Sequence, residues 1–252
     1  MGDRGGLRVY TADLHVHTAL SPCAEPEMTP ENIIGLCLEY GVDIVGLTDH
    51  NSGANARAVS GFAEGTGVTV WPGMEVQTRE EVHLVVLAGD LEGLDAWQGF
   101  IYSHLPDRPN RPEVFGEQTL FDKEGRVTGV VDRLLLTSVD LSVNDVRLEA
   151  RRRGLVIYPA HIDRPVYGYI SNLGLPPPAE DFGLIELSTG TTPEEVRGKY
   201  PSLEGSIAIV SSDAHRLEEL GPARTRLHLH GPTLGEFQAA IAGRDGRKVE
   251  VY

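Results

Sequence analysis

The stretch VDIVGLTDH, residues 42–50, decides how the chain is read. It is a nearly unbroken apolar run that stops at a polar T-D-H. A strand with one wet face alternates apolar and polar residues. A run without alternation is covered on both faces, as in the parallel sheets of α/β proteins. Just upstream, TPENIIGLCLEYG (29–41) reads as a helix, with Thr29 as N-cap, Pro30 at the first helical position and Gly41 at the stop. The same rhythm extends both ways. LRVYTADLHVH comes before as a strand, and the helix ANARAVSGFAEGTG and the strands VTVWPGMEV and VHLVVLAG come after. GLVIYPAH, FGLIELS and SIAIVSSDAH follow with helices between them, and TRLHLHG, TLGEFQAAIAG and KVEVY close the chain. About seven strand–helix units predict an α/β protein with a parallel sheet curled into a closed or nearly closed β/α barrel. Residues 97–143 break the rhythm and carry a hairpin signal at FDKEGRVTG. They are expected to form a cap-like insertion on a single domain spanning 1–252.

Composition narrows the function. With 22 Lys and Arg against 37 Asp and Glu, the chain carries a net charge of −15. A protein that grips nucleic acid by its phosphates shows a basic patch. The one short basic run, RRRG at 151–154, ends a predicted helix, where cations complement the dipole. No segment approaches the ~20 apolar residues of a membrane span, and the N-terminal stretch lacks the apolar core of a signal peptide. A cytoplasmic protein without a membrane partner is expected. Of the two cysteines, Cys37 falls on the apolar side of a helical run and reads as core; nothing suggests a disulfide framework.

The chain has nine histidines, and five end predicted strands in acidic company: His15 and His17 in DLHVHT, His50 in LTDHN, His161 in PAHID and His215 in SSDAH. In a strand, residues i and i+2 share a face, so His15 and His17 aim at one point. The C-terminal ends of barrel strands share one rim, where active sites sit. His83 opens a strand, and Glu75 closes the strand before it. Burying these imidazoles with Glu75 and Asp213 is costly without a cation. Imidazole with carboxylate suits zinc, manganese or iron. The second H-x-H, LHLHG at 227–231, lacks a neighbouring carboxylate in sequence and lies in a late, polar-alternating strand, so it is read as unrelated to the site.

DLHVHT, LTDHN, PGMEV, VHLVV, PAHID and SSDAH, in this order, resemble the motif series of the PHP (polymerase and histidinol phosphatase) family over residues 13–215. The resemblance implies a distorted seven-stranded β/α barrel, two or three divalent metal ions and phosphoester hydrolysis. By the resemblance, His15, His17, Glu75 and Asp213 hold one metal. Glu75 bridges to a second metal held by His83 and His161, and His50 and His215 hold a third. The stretch ALSPCAEPEMTP is longer than the family's usual connection; Cys23, or else Glu25, is its candidate for completing the third site. A thiolate there favours zinc.

The chemistry expected is attack on phosphorus by a metal-bound hydroxide. Arg164, directly after PAHID, is the candidate phosphate clamp, because its planar fork fits phosphate. Asp13 and Asp49, each near a histidine ligand, are expected to orient ligand imidazoles. Two other readings compete. An amidohydrolase or deaminase would bridge its metals with a modified lysine, but none of Lys123, Lys199 and Lys248 ends a core strand. A non-catalytic, metal-stabilised binding module would have lost ligands. From the acidic balance, the expected substrate is a small phosphorylated metabolite or short nucleotide, with no duplex nucleic acid as partner.

Overall fold

A computed structural model describes residues 6–252. Eleven strands are present among them: β1 (Arg8–Val16), β2 (Ile44–Leu47), β3 (Thr69–Gln77), β4 (His83–Leu87), β5 (Thr119–Phe121), β6 (Val127–Val130), β7 (Val156–Pro159), β8 (Leu184–Leu187), β9 (Ile207–Val210), β10 (Thr225–Leu229) and β11 (Lys248–Val251). Seven form one sheet in the order β11-β10-β1-β2-β3-β4-β7, and β8 and β9 form a separate parallel pair. That pair lies between β7 and β11, so the sheet curls toward closure without a continuous hydrogen-bonded ladder.

The strands are not all parallel, which corrects the reading from sequence. β1, β2 and β3 run parallel, whereas β4 is antiparallel to both β3 and β7, and β10 is antiparallel to both β1 and β11. The direction of a strand depends on pairings far apart in sequence, and an apolar run does not encode it. The two-sided burial read from VDIVGLTDH is present: all four residues of β2 are buried. Along β4, Leu84 and Val86 join one apolar cluster while Val85 and Leu87 join another, so each face of the sheet is covered. Gly46 is required where β2 crosses β1, since a Cβ there would lie 2.6 Å from the Leu14 carbonyl oxygen.

The helix Pro30–Tyr40 forms as read, with the Thr29 hydroxyl accepting from Asn32 N and Gly41 in the left-handed conformation. Cys37 is buried in the core. The hairpin in FDKEGRVTG is the β5–β6 pair. Trp97, the first residue of the expected insertion, lies fully buried within the helix Leu91–His104. The hairpin packs on the loops that follow β1 and β2. Thr119 N donates to Ala19 O at 2.8 Å, and Asn55 Nδ2 donates to Thr119 O at 3.0 Å.

Candidate metal centre

Six strand ends converge on one rim. His15 lies near the end of β1 and His17 just after it; His50 follows β2; Glu75 lies near the end of β3; His161 follows β7; Asp213 and His215 follow β9. His83 opens β4, yet it lands on the same rim because β4 runs antiparallel and pairs His83 with Gln77. The end of β9 docks on β1 through His17 N donating to Ala214 O at 3.0 Å. Asp213 and His161 have positive φ, 51° and 27°. Such non-glycine conformations persist only where surrounding contacts hold them, and they gather at functional sites.

Glu75 is fully buried at the centre. Its Oε1 lies 2.7 Å from His83 Nδ1, 3.2 Å from His161 Nε2 and 3.3 Å from His15 Nε2. Its Oε2 lies 2.8 Å from His50 Nδ1 and 3.4 Å from His17 Nε2. Burial opposes its ionisation, but His83, His15 and His50 outweigh this and hold the carboxyl well below its usual range. Asp213 Oδ1 sits 3.1 Å from His15 Nε2 and 3.0 Å from His17 Nε2. Three groups have the closeness a cation needs: His15, His17, Glu75 and Asp213; His50, Glu75 and His83; and His17, His50 and His215. The first matches a shell expected from the resemblance. The second joins His50 to Glu75 and His83; His161 approaches the same Glu75 oxygen from the other side.

The hydrogen bonds behind the cluster fix which nitrogens face it. His15 Nδ1 donates to the Glu186 carboxylate, whose two oxygens lie at 3.0 and 3.1 Å. The Ser21 hydroxyl donates to Asp49 Oδ1 at 2.7 Å, so His17 Nδ1, 2.9 Å from Ser21 Oγ, must be the donor in that pair. His215 Nδ1 donates to the Asp213 carbonyl at 2.8 Å. All three histidines therefore turn Nε2 toward the centre. The Nε2 atoms of His15 and His17 stand 3.1 Å apart against Asp213. A proton on His15 relieves part of this crowding, since Asp213, Glu186 and Glu75 together overcome burial and raise its pKa. His17 remains neutral, because burial and then His215 hold its pKa well down. Buried His83 Nε2 and His161 Nδ1 have no hydrogen-bond partner among the described residues. The separations of 3.0–3.4 Å in the first group match the edge of a tetrahedron of donors around an ion, about 3.3 Å for bonds of ~2.0–2.1 Å. The donor set fits divalent metal.

Three expected residues take positions other than those read from sequence. Asp13 touches no imidazole; its Oδ1 accepts from Ser212 N at 3.0 Å and from His15 N at 3.4 Å. Asp49 points away from His50, as neighbours in an extended segment do. It accepts at 2.7 Å from Thr18 N, Thr18 Oγ1 and Ser21 Oγ, and so reaches His17 through Ser21. Burial raises both carboxyls to about 6. Glu25 pairs with Arg216 at 3.5 Å, away from the cluster. Cys23 is exposed and belongs to none of the three groups, although its thiol feels His50 and His215. Desolvation raises the thiol pKa, but His50 and hydrogen bonds with His215 and His50 bring it down to about 6. Arg164 reaches the centre, with Nη1 2.5 Å from Asp213 Oδ2, while 42% of its side chain remains exposed.

Two supporting residues were not singled out from sequence, Glu186 and Ser21. Glu186 carried a signal, being the one acid inside the buried run LIEL of β8. Ser21, in a loop, carried none. The H-x-H at His228 lies elsewhere: β10 is antiparallel to β1 and pairs His228 with Val9, at the opposite end of β1 from His15. It does have a carboxylate partner, Glu250 on β11, at 2.7 Å.

Residues 13–147, more than half of the chain, match the PHP domain family model. His161, Asp213 and His215 lie beyond the matched span. No curated protein sequence matches the chain. Among solved structures, the lesion-specific endonuclease Q of Pyrococcus furiosus shares 18% identity and a TM-score of 0.70, covering 96% of this chain and 58% of that one. Endonuclease Q in complex with a 27-mer duplex bearing an abasic lesion at its active site gives 17% identity and the same TM-score, again over 96% of this chain and 58% of the other. This chain thus spans little more than half of endonuclease Q. A two-domain protein of Bacteroides vulgatus containing a predicted PHP-like metal-dependent phosphoesterase gives 17% identity and 0.58 over all of this chain and 67% of that one. An amidohydrolase of Chromobacterium violaceum gives 17% identity and 0.52, over 84% and 90%. The duplex complex overturns the expectation of a small substrate with no duplex nucleic acid. Net charge is a sum over the whole surface, and a local cluster of cations can receive phosphate on an acidic protein. With its histidine–carboxylate rim and its match to the family model, this chain belongs to the PHP-domain family of metal-dependent hydrolases.

Proposed function

We propose that this chain is a phosphoesterase that cleaves phosphodiester bonds of nucleic acid. The observation that carries the reading is the pair of Nε2 atoms on His15 and His17, facing Asp213 and Glu75 at 3.0–3.4 Å. His15, His17, Glu75 and Asp213 would hold one cation. Glu75 and His83, with His50 or His161 beside them, would hold a second. His50 and His215, with the Cys23 thiolate, would hold a third. Bound divalent cations supply Lewis acidity, lowering the pKa of water to ~7 and neutralising phosphate oxygens. Glu186 and Ser21 occupy the outer ring nitrogens of His15 and His17 and so aim Nε2 of each inward. Arg164, half out in solvent beside Asp213, offers its fork to the non-bridging oxygens of the phosphate. Asp13 and Asp49 hold the backbone and the Ser21 hydroxyl around the ligands. The likeness of fold to endonuclease Q supports nucleic acid as the substrate class.

An amide-hydrolysing centre bridged by a modified lysine has no residue here to build it. Lys123 lies beside Glu124, Lys199 over the Tyr200 ring and Lys248 against Glu250. Glu75 occupies the bridging position instead.

The test is hydrolysis of bis(p-nitrophenyl) phosphate and of a duplex oligonucleotide with one abasic site by manganese- or zinc-loaded protein, with His17→Ala as control. Cleavage of both substrates, lost in the variant, is expected. Equal rates in the two proteins, or none in either, would remove the phosphoesterase reading. Cleavage of the aryl diester alone would remove nucleic acid as the substrate.

A further inference from the structure

A cavity of about 430 Å³ opens beside Arg164. Its walls come from the loop after β7 (Asp163, Pro165), the helix Tyr169–Leu173 (Ile170), and the helix Pro193–Lys199 with Tyr200 beyond it. Arg164 joins this cavity to the metal centre: the residue lines the cavity while its guanidinium touches Asp213. Pro165, Ile170 and Val196 give the lining its apolar part. The Lys199 ammonium, also in the lining, stands 5.2 Å from the centre of the Tyr200 ring.

The two acids in the walls are already engaged. Asp163 accepts from Ser188 N at 2.9 Å and from Thr191 Oγ1 at 2.8 Å, tying the loops after β7 and β8 together. Glu195 closes a capping box, accepting from Thr192 N and Oγ1 at 2.9 Å each. Arg164 and Lys199 are the cations of the lining, which also holds the apolar side chains of Pro165, Ile170 and Val196 and the Tyr200 ring. Two cations with apolar and aromatic surface in one cavity suit a nucleotide, which presents phosphate, sugar and base together. The volume falls in the ~300–1,000 Å³ range of small-molecule sites.

On the phosphoesterase reading above, we propose that this cavity is the subsite for the nucleotide adjoining the scissile phosphodiester. Arg164 meets the scissile phosphate, the apolar wall takes the sugar and base, Tyr200 offers an aromatic face, and Lys199 meets the neighbouring phosphate. Base–aromatic stacking and a cation along the backbone are the usual elements of such sites and tolerate many sequences.

The test uses Lys199→Glu and Tyr200→Ala, neither of which alters the metal centre, and reads binding apart from turnover. The binding probe is a fluorescein-labelled ten-nucleotide single strand in calcium, followed by anisotropy. The turnover probe is bis(p-nitrophenyl) phosphate in manganese, which carries no second phosphate for Lys199 to meet. Lys199→Glu is expected to weaken strand binding about tenfold or more and Tyr200→Ala by a similar factor, in line with ~1–3 kcal/mol per stacked base. Aryl-diester turnover should stay within about twofold of wild type. Strand binding unchanged in both variants would overturn the subsite, whatever the turnover. Loss of strand binding in a protein that hydrolyses no diester would support the subsite and overturn the phosphoesterase reading instead.

Discussion

The chain carries the same H-x-H spacing twice, on two neighbouring strands, and only one copy makes a site. His15 and His17 bring their Nε2 atoms to 3.1 Å from each other, against Asp213 and Glu75. Glu186 and Ser21 hold them from behind. His228 pairs with Glu250, a residue of β11 that is itself 42% exposed, and the His230 backbone N–H donates to Glu236. Spacing alone puts two rings on one face. A centre arises only where other strands end at the same rim and where buried acceptors hold the outer ring nitrogens. β10 runs antiparallel to β1, so its end lies at the wrong rim.

The contrast is broken most severely at the ligands. His17→Ala or Asp213→Ala should lower bound metal by at least one ion per chain. Hydrolysis should fall by more than the roughly 10–100-fold typical when a supporting residue is lost. Glu186→Ala, which removes only the support behind His15, should weaken metal affinity by about 10–100-fold while the stoichiometry at saturating metal is kept; a competition titration with a chelating dye measures this. Cys23→Ser should abolish the sulfur-to-cobalt charge-transfer absorption of cobalt-loaded protein and leave the ions at Glu75 in place. On the other side of the comparison, replacing both His228 and His230 by Ala should leave metal content unchanged and cost no more than about 1 kcal/mol, the ordinary scale of exposed pairs.

The smallest effect is a pH dependence near the second H-x-H. Hydrogen bonding from Arg247, then from the His230 backbone, pulls the Glu236 carboxyl down to about 2. A depressed carboxyl stabilises the fold above its unfolded value of 4.5, and that stability is lost as pH falls from 4.5 toward 2. Glu236→Gln should therefore melt slightly below wild type at neutral pH, by about 0.2–1 kcal/mol, and the gap should close below pH 4.5. A gap that widened on acidification would contradict the assignment.

Much of the centre was legible because its ligands follow or open apolar runs, where a polar residue stands out. Covered strands, the Thr29-capped helix and the β5–β6 hairpin were legible for local reasons of the same kind. Strand direction was not, since it is fixed by pairings such as Gln77 with His83 that no local pattern carries. That is why His83, at the start of its strand, belongs to the rim while His228, near the end of its own, does not. Asp13 and Asp49 were assigned by closeness in sequence. The residues that orient the rings, Glu186 and Ser21, are set by closeness in space; Glu186 comes from a strand 171 residues away from His15. Net charge is a poor guide to nucleic-acid binding here, because it averages over a surface on which the site is a small rim of histidines and carboxylates.

The central claim is that these histidines and carboxylates hold a multinuclear metal centre. Elemental analysis of metal per chain, on protein purified without chelator and compared with His17→Ala, tests it most directly. Two or more divalent ions per wild-type chain, falling by at least one in the variant, is the predicted result. Fewer than two in the wild type, or equal content in both proteins, would contradict it.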